Sequence, residues 1–176
     1  MSTITKTEES CKWCGKELVN LFEFDLSDSM LDFIPFKGNK LTITTCEACA
    51  CYGEHLYMDV GLDGESTWST YSEKPDYLPG NTDEYVGLPM NKLSMSSKPR
   101  LWHYSADWCL PSTFSQVGGV PSWIQDFDYG PCPKCNKSML FIAQLSVEDI
   151  EEFGEGIYYG LLCPDCSITT VRYQQT

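Results

Sequence analysis

Positive charge is scarce in this chain of 176 residues: 12 Lys and Arg stand against 25 Asp and Glu, a formal net charge of −13. A protein that neutralises nucleic-acid phosphates or an anionic membrane needs clustered Lys and Arg, so the charge balance argues against nucleic acid and membrane as partners. Lys92, Lys98 and Arg100 form the one basic cluster of note. Long hydrophobic runs are missing too. The longest fully apolar stretch, Met139 to Ala143, is far too short to span a bilayer, and Met1 to Ser10 lacks the apolar core of a signal peptide. The expected location is the cytoplasm. Histidine is nearly absent, with only His55 and His103, and Gly118-Gly119 lacks the Lys-Ser/Thr or third glycine of a phosphate-cradling loop.

What the chain does have is 42% hydrophobic residues, enough for a packed core, and ten cysteines. Structural disulfides do not persist in a reducing compartment, so cysteines in this number point to metal or redox chemistry. Eight of them form four C-x-x-C pairs, Cys11/Cys14, Cys46/Cys49, Cys132/Cys135 and Cys163/Cys166, leaving Cys51 and Cys109 over. A C-x-x-C turn places two thiolates where one tetrahedral ion can reach both, and two such turns complete a closed four-sulfur site suited to zinc. The expectation is two structural zinc ions, each held within one half of the chain. The alternative joins the first pair of one half to the second pair of the other.

The pairs recur with their surroundings. Cys11-Lys12-Trp13-Cys14-Gly15-Lys16 and the apolar run from Leu18 match Cys132-Pro133-Lys134-Cys135-Asn136-Lys137 and the run from Met139, at a constant offset of 121 residues. Each copy continues through a glycine (Gly38; Gly156), a strand-like run (Leu41 to Thr45; Ile157 to Leu162), the second pair and another strand-like run (His55 to Val60; Ile168 to Tyr173). This is an internal duplication. The expected fold is mainly β with a minor α+β component, built as two tandem zinc-ribbon-like halves at 1–60 and 111–176 with a connection at 61–110. Gly15 and Asn136 follow the second cysteine of their knuckles, where positive φ is expected and these two residue types tolerate it best. Lys12, Lys16, Lys134 and Lys137 stand beside the thiolates and are expected to offset their charge.

A catalytic zinc keeps three protein ligands and an open position, whereas four cysteines make a closed, structural site. Pro131-Cys132-Pro133-Lys134-Cys135 matches half of a nucleobase-deaminase signature, but neither histidine is followed by the required glutamate in H-x-E. The expectation is therefore a protein that is not an enzyme. An enzyme using Cys109 or His103 is the alternative of another class, although Cys109 has no basic neighbour in sequence to lower its pKa.

Between Glu54 and Glu84 eight acidic residues accompany a single Lys, within a mainly irregular stretch carrying Trp68, Tyr71 and Tyr77. Such a loop reads either as solvated chain pinned down by its aromatics or as a recognition surface with Trp68, Tyr71, Asp76, Tyr77, Asp83 and Glu84 as contacts. A second acidic cluster contributes Glu148, Glu151 and Glu152, with Ser146 placed to cap a short helix and Asp149 three residues on. The matching excursion of the first half, Met30 to Phe36, is more apolar and is expected to pack inward.

Gln116-Val117-Gly118-Gly119-Val120-Pro121-Ser122-Trp123-Ile124-Gln125, with Met139 to Leu145 and Gly156 to Tyr159, resembles the YwqG-like family of bacterial proteins and the related eukaryotic programmed cell death protein 2 family. The resemblance covers roughly residues 110–176, and the first half through its cysteines and the duplication. It implies a mostly β protein of two similar halves, without an established catalytic constellation. On physical grounds Trp123 of this element is expected to bury against the second ribbon's sheet. The resemblance also implies that the chain grips one specific, usually basic, protein. That partner is either a toxin domain, which the chain neutralises as an immunity protein, or a ribosomal or nucleic-acid-binding protein, which it chaperones.

Overall fold

Apolar runs flank each cysteine pair, and in the computed structural model, which describes residues 2–52, 55–78, 87–89, 92–93 and 114–175, these runs become strands. In chain order they are β1 Ser2–Thr3, β2 Thr5–Ser10, β3 Glu17–Asp25, β4 Lys40–Thr45, β5 Tyr57–Val60, β6 Ser66–Trp68, β7 Lys92–Leu93, β8 Gln116–Val117, β9 Leu140–Ser146, β10 Ile157–Cys163 and β11 Ile168–Gln174. Helix is confined, among the described residues, to one α turn at Glu47–Ala50 and two 3-10 turns at Ser29–Leu31 and Val147–Asp149. The fold is mainly β.

Among the described residues three sheets form, with strand orders β2-β3-β4, β6-β5-β11-β10-β9-β8 and β1-β7. In the second half, knuckle, strand, returning strand, knuckle and final strand close on themselves as β9, β10 and β11. In the first half β3 and β4 pair likewise, but the final strand does not return to β4. It pairs with β11 of the other half, Ile168 opposite Asp59 and Thr170 opposite Tyr57, and carries β6 with it. Part of the connection after residue 60 is therefore ordered strand, with Trp68 inside it.

The duplication extends to a backbone irregularity. Between β3 and β4 the register steps from Asn20/Thr44 to Phe22/Ile43, leaving Leu21 as an extra residue; between β9 and β10 it steps from Ala143/Gly160 to Phe141/Leu161, leaving Ile142 extra. Leu21 and Ile142 are separated by the same 121 residues as Cys11 and Cys132. A bulge breaks strict alternation, so neighbours on one strand turn to the same face. Leu21 with Phe22, and Ile142 with Ala143, accordingly all enter the main core.

That core lies between the three-stranded and six-stranded sheets. Leu21, Phe22, Phe24, Leu41 and Ile43 from one meet Ile142, Leu145, Tyr158, Leu162 and Val171 from the other. Gly160 allows the sheets to approach, because a Cβ there would stand 3.0 Å from Ile43 Cδ1 and 3.1 Å from the Phe22 ring. From the first excursion Leu31 and Ile34 pack inward, while Met30 and Phe33 remain about half exposed, so only part of that segment is core.

Polar side chains hold the Gly-Gly-x-Pro-x-Trp element in place. Gly118 and Gly119 turn the chain at φ 68° and 75°. The segment after them then crosses the outer face of the six-stranded sheet. Gln144 Oε1 accepts from Ser122 N at 2.8 Å, Tyr159 Oη accepts from Ile124 N and donates to Ser122 O, and Gln174 Oε1 accepts from Gln125 N. Trp123 lies on Tyr159 with ring centroids 4.3 Å apart, against the sheet as expected but only half-buried. The Ser146 cap does not form: Ser146 is buried in the sheet, its side chain makes no capping bond, and Asp149 Oδ2 instead accepts from Ser115 N at 2.6 Å.

Candidate metal centres

Each knuckle is built by its backbone before any ion is considered. Cys11 N donates to Lys16 O and Gly15 N to Cys11 O at 2.7 and 2.8 Å; Cys132 N donates to Lys137 O and Asn136 N to Cys132 O at 2.8 and 2.9 Å. Closing this turn needs a left-handed residue, and Gly15 (φ 78°) and Asn136 (φ 58°) supply it. The second knuckles differ. Cys46 to Cys49 opens into the helical turn Glu47–Ala50, whereas Cys163 to Cys166 is followed at once by Ser167 at φ 54°, which turns the chain into β11. After the second knuckle the first half's last strand leaves its own sheet and pairs with β11.

The knuckles meet within each half. The Sγ atoms of Cys11, Cys14, Cys46 and Cys49 lie within 4.8 Å of one another, as do those of Cys132, Cys135, Cys163 and Cys166. Individual separations are 3.8 Å for Cys11/Cys49, 3.5 Å for Cys14/Cys46 and 3.6 Å for Cys135/Cys163. A tetrahedron with metal–sulfur bonds of about 2.3 Å has edges of about 3.8 Å. Both donor sets therefore fit one ion each, with four sulfurs and no position left for water or substrate.

The electrostatics ask for a cation. Cys11 is pulled down to about 2 by hydrogen bonds from Cys46 and Cys49, while Cys46 is pushed up by its bond to Cys11 and then by burial, and Cys49 by its bonds to Cys11 and Cys46 and then by burial. In the second group the Lys137 backbone N–H lowers Cys135 to about 7, and burial leads in raising Cys163 to about 12. Sulfurs this crowded do not all ionise unless a positive ion lies between them. The lysines do not do this job alone. Lys137 forms an ion pair with Asp165 at 2.6 Å and gains less from Cys135 and Cys163, and Lys12 sits over the Trp68 ring at 5.7 Å.

Around the first centre Trp13, Leu18, Ala48, Leu56, Met58 and Leu78 are buried and Trp68 packs against them; around the second lie Tyr57, Met139, Leu161 and Ile168. Trp68 meets Trp13 edge to face at 5.8 Å, so its ring faces the first centre. Of the other candidate contacts, Tyr71 is 39% and Tyr77 63% exposed. Asp76, Glu148, Glu151 and Glu152 are exposed as well. Asp83, Glu84, His103 and Cys109 lie outside the described residues, as do Lys98 and Arg100. His55 is packed: its Nδ1 meets Tyr57 Oη at 2.9 Å, and burial, with Arg172 nearby, lowers its pKa to about 4. Among the described residues no helix is long and apolar enough to cross a membrane.

Sequence reasoning found the ligands but missed their supports, Ser72, Leu56 and Met58 at the first centre and Tyr57 at the second. The alternation Leu56-Tyr57-Met58 is the one signal that could have placed neighbours on opposite faces.

Fold and site together define a mainly β protein with two four-cysteine sites, one in each half, each able to hold a metal ion. Over 170 residues, 96% of its length, the chain is 39% identical to the uncharacterized protein YpfL of Salmonella typhimurium. The chain spans 39% of that bacterial protein's length. No family model matches the chain, and no solved structure matches it.

Proposed function

We propose that the chain is a zinc-stabilised protein-binding module that captures one basic protein, and that this partner is a toxin domain which it neutralises. Zinc is the ion that four thiolates in a closed tetrahedron suit best, and its chemistry here is cross-linking the two knuckles of each half. A site closed by four sulfurs offers no position for a reacting group, which supports a binding role over an enzymatic one.

The observation that carries the reading is the turn between β9 and β10. Phe153 is 91% exposed and holds φ 66°, a conformation that a bulky side chain rarely adopts, and Glu148, Glu151, Glu152 and Glu155 surround it in sequence. An exposed aromatic ring set among carboxylates suits a partner with an apolar pocket rimmed by Lys and Arg. Exposed Tyr71, Asp76 and Tyr77 are a second contact region of the same chemistry. The resemblance to the YwqG-like and programmed cell death protein 2 families favours a second role of the same kind, a chaperone for a basic ribosomal or nucleic-acid-binding protein.

Co-expression with the product of the adjacent gene tests the reading. A stoichiometric complex that rescues cells from that product, and that Phe153→Ala together with Glu151→Lys weakens, is the expected result. Absence of any complex, with turnover of a small molecule that mutation of His103 or Cys109 abolishes, would move the protein to the enzymes.

A further inference from the structure

The two metal centres share a strand. Leu56 and Met58 pack into the shell of the first centre and Tyr57, between them, into the shell of the second. Strand β5, with Leu56 just before it, is thus a wall common to both centres, and a shift that relaxes one shell displaces residues of the other. We propose that β5, held by Ser72, couples the two centres, so that loss of metal from one loosens the other.

Ser72 is the residue that ties this wall to a ligand turn. Its buried hydroxyl accepts from Tyr57 N and donates to Tyr57 O, both at 2.7 Å, clamping both backbone groups of the residue that faces the second centre. Its own carbonyl accepts from Trp13 Nε1 at 3.1 Å, and Trp13 stands between the ligands Cys11 and Cys14. On the other side β5 is bonded to the strand that leaves the second centre. Thr170 Oγ1 donates to Leu56 O at 2.9 Å, and Val60 N donates to the carbonyl of Ser167, the residue after Cys166, at 2.8 Å. A continuous path therefore runs from Cys11 and Cys14 through Trp13, Ser72 and β5 to Cys166. None of these bonds is made by a metal ligand's sulfur. The first half's final strand has left its own sheet, and this is what puts it between the centres.

The inference rests on the reading that both sites hold zinc, and metal analysis of the purified chain separates the two: fewer than two zinc ions per chain sinks that reading, whereas two ions released independently sink only the coupling. The experiment uses the full zinc-loaded chain. In Cys166→Ser the zinc of the first centre should pass to a chromogenic chelator about tenfold faster than in the wild type, within the usual span of coupling between sites. An unchanged rate overturns the proposal. Ser72→Ala keeps all eight ligands and decides the matter alone if Cys166→Ser does not fold. In that variant the knuckle amides of Gly15 and Asn136 should both exchange faster by a similar factor while amides at the centre of β10 keep their wild-type protection. Faster exchange at Gly15 alone, or a uniform rise that includes β10, shows a local or global loss of stability and overturns the coupling.

Discussion

Gly160 of β10 lies against Phe22 of β3 so closely that a Cβ would stand 3.1 Å from the phenyl ring. The contact joins the two sheets and the two halves of the duplication. Gly160→Val should force the sheets apart and destabilise the fold by about 1 to 3 kcal/mol, the usual cost of overpacking a core. Denaturation midpoints of wild type and variant check it, and Phe22→Leu in the same chain should recover part of the loss.

Purified protein should carry two zinc ions per chain, and Cys11→Ser or Cys132→Ser should each remove one first. Structural zinc in small domains contributes roughly 10 to 16 kcal/mol of apparent binding free energy, so stripping the metal should unfold at least the affected half. An apo protein whose melting profile matches that of the holo form would contradict a structural role.

Asn136 and Gly15 occupy the same left-handed position of the two first knuckles. Asn136→Ala should cost about 1 kcal/mol because an alanine Cβ is strained there, whereas Asn136→Gly should be close to neutral. Gly15→Ala should cost a similar amount in strain alone, as nothing lies within 4 Å of the added methyl position. The comparison of all three by equilibrium denaturation tests whether the turn conformation, and not packing, selects these residues.

His55 gives the fold an acid-side slope. Its folded pKa of about 4 lies below the ordinary 6.5, because burial and then Arg172 disfavour the charged ring against the opposing pull of Asp128. The unfolded chain therefore binds a proton that the folded chain refuses between those two values. Stability is full above pH 6.5 and falls as pH drops toward 4, by on the order of 1 kcal/mol after solvent screening. Ring-proton titration should place the midpoint near 4, and His55→Gln should flatten this part of the pH–stability curve.

Trp68 and Tyr77 should separate into two kinds of aromatic residue. Trp68 packs on Trp13 beside the first centre, so Trp68→Ala should lower thermal stability and speed zinc release. Tyr77 is 63% exposed, so Tyr77→Ala should leave the fold intact and, under the proposed function, speed dissociation of the partner. A stable Trp68→Ala with unchanged metal release would reverse the assignment.

The metal ligands and the duplication were legible because both are local. A C-x-x-C turn closes over six residues through its own backbone bonds, and the 121-residue offset repeats those residues with the apolar run behind them. Gly15 and Asn136 were readable for the same reason, since positive φ is a demand of one turn. The sequence points to pairing of the knuckles within each half, with a cross-half pairing as the alternative, and the folded chain brings Cys11 and Cys14 to Cys46 and Cys49 and not to Cys163 and Cys166.

Strand partnership was not legible at all. The run from Tyr57 to Val60 reads as a strand in either sheet, and nothing in those four residues says that it pairs with β11. That choice comes from long-range competition: Leu56, Tyr57 and Met58 bury on both sides only where the two halves meet. Trp68 illustrates the same limit, since an aromatic in an acidic stretch looks like a surface anchor until the fold lays it on Trp13. Local backbone geometry determined the metal sites of this protein, whereas burial between distant segments decided which strand stands between them.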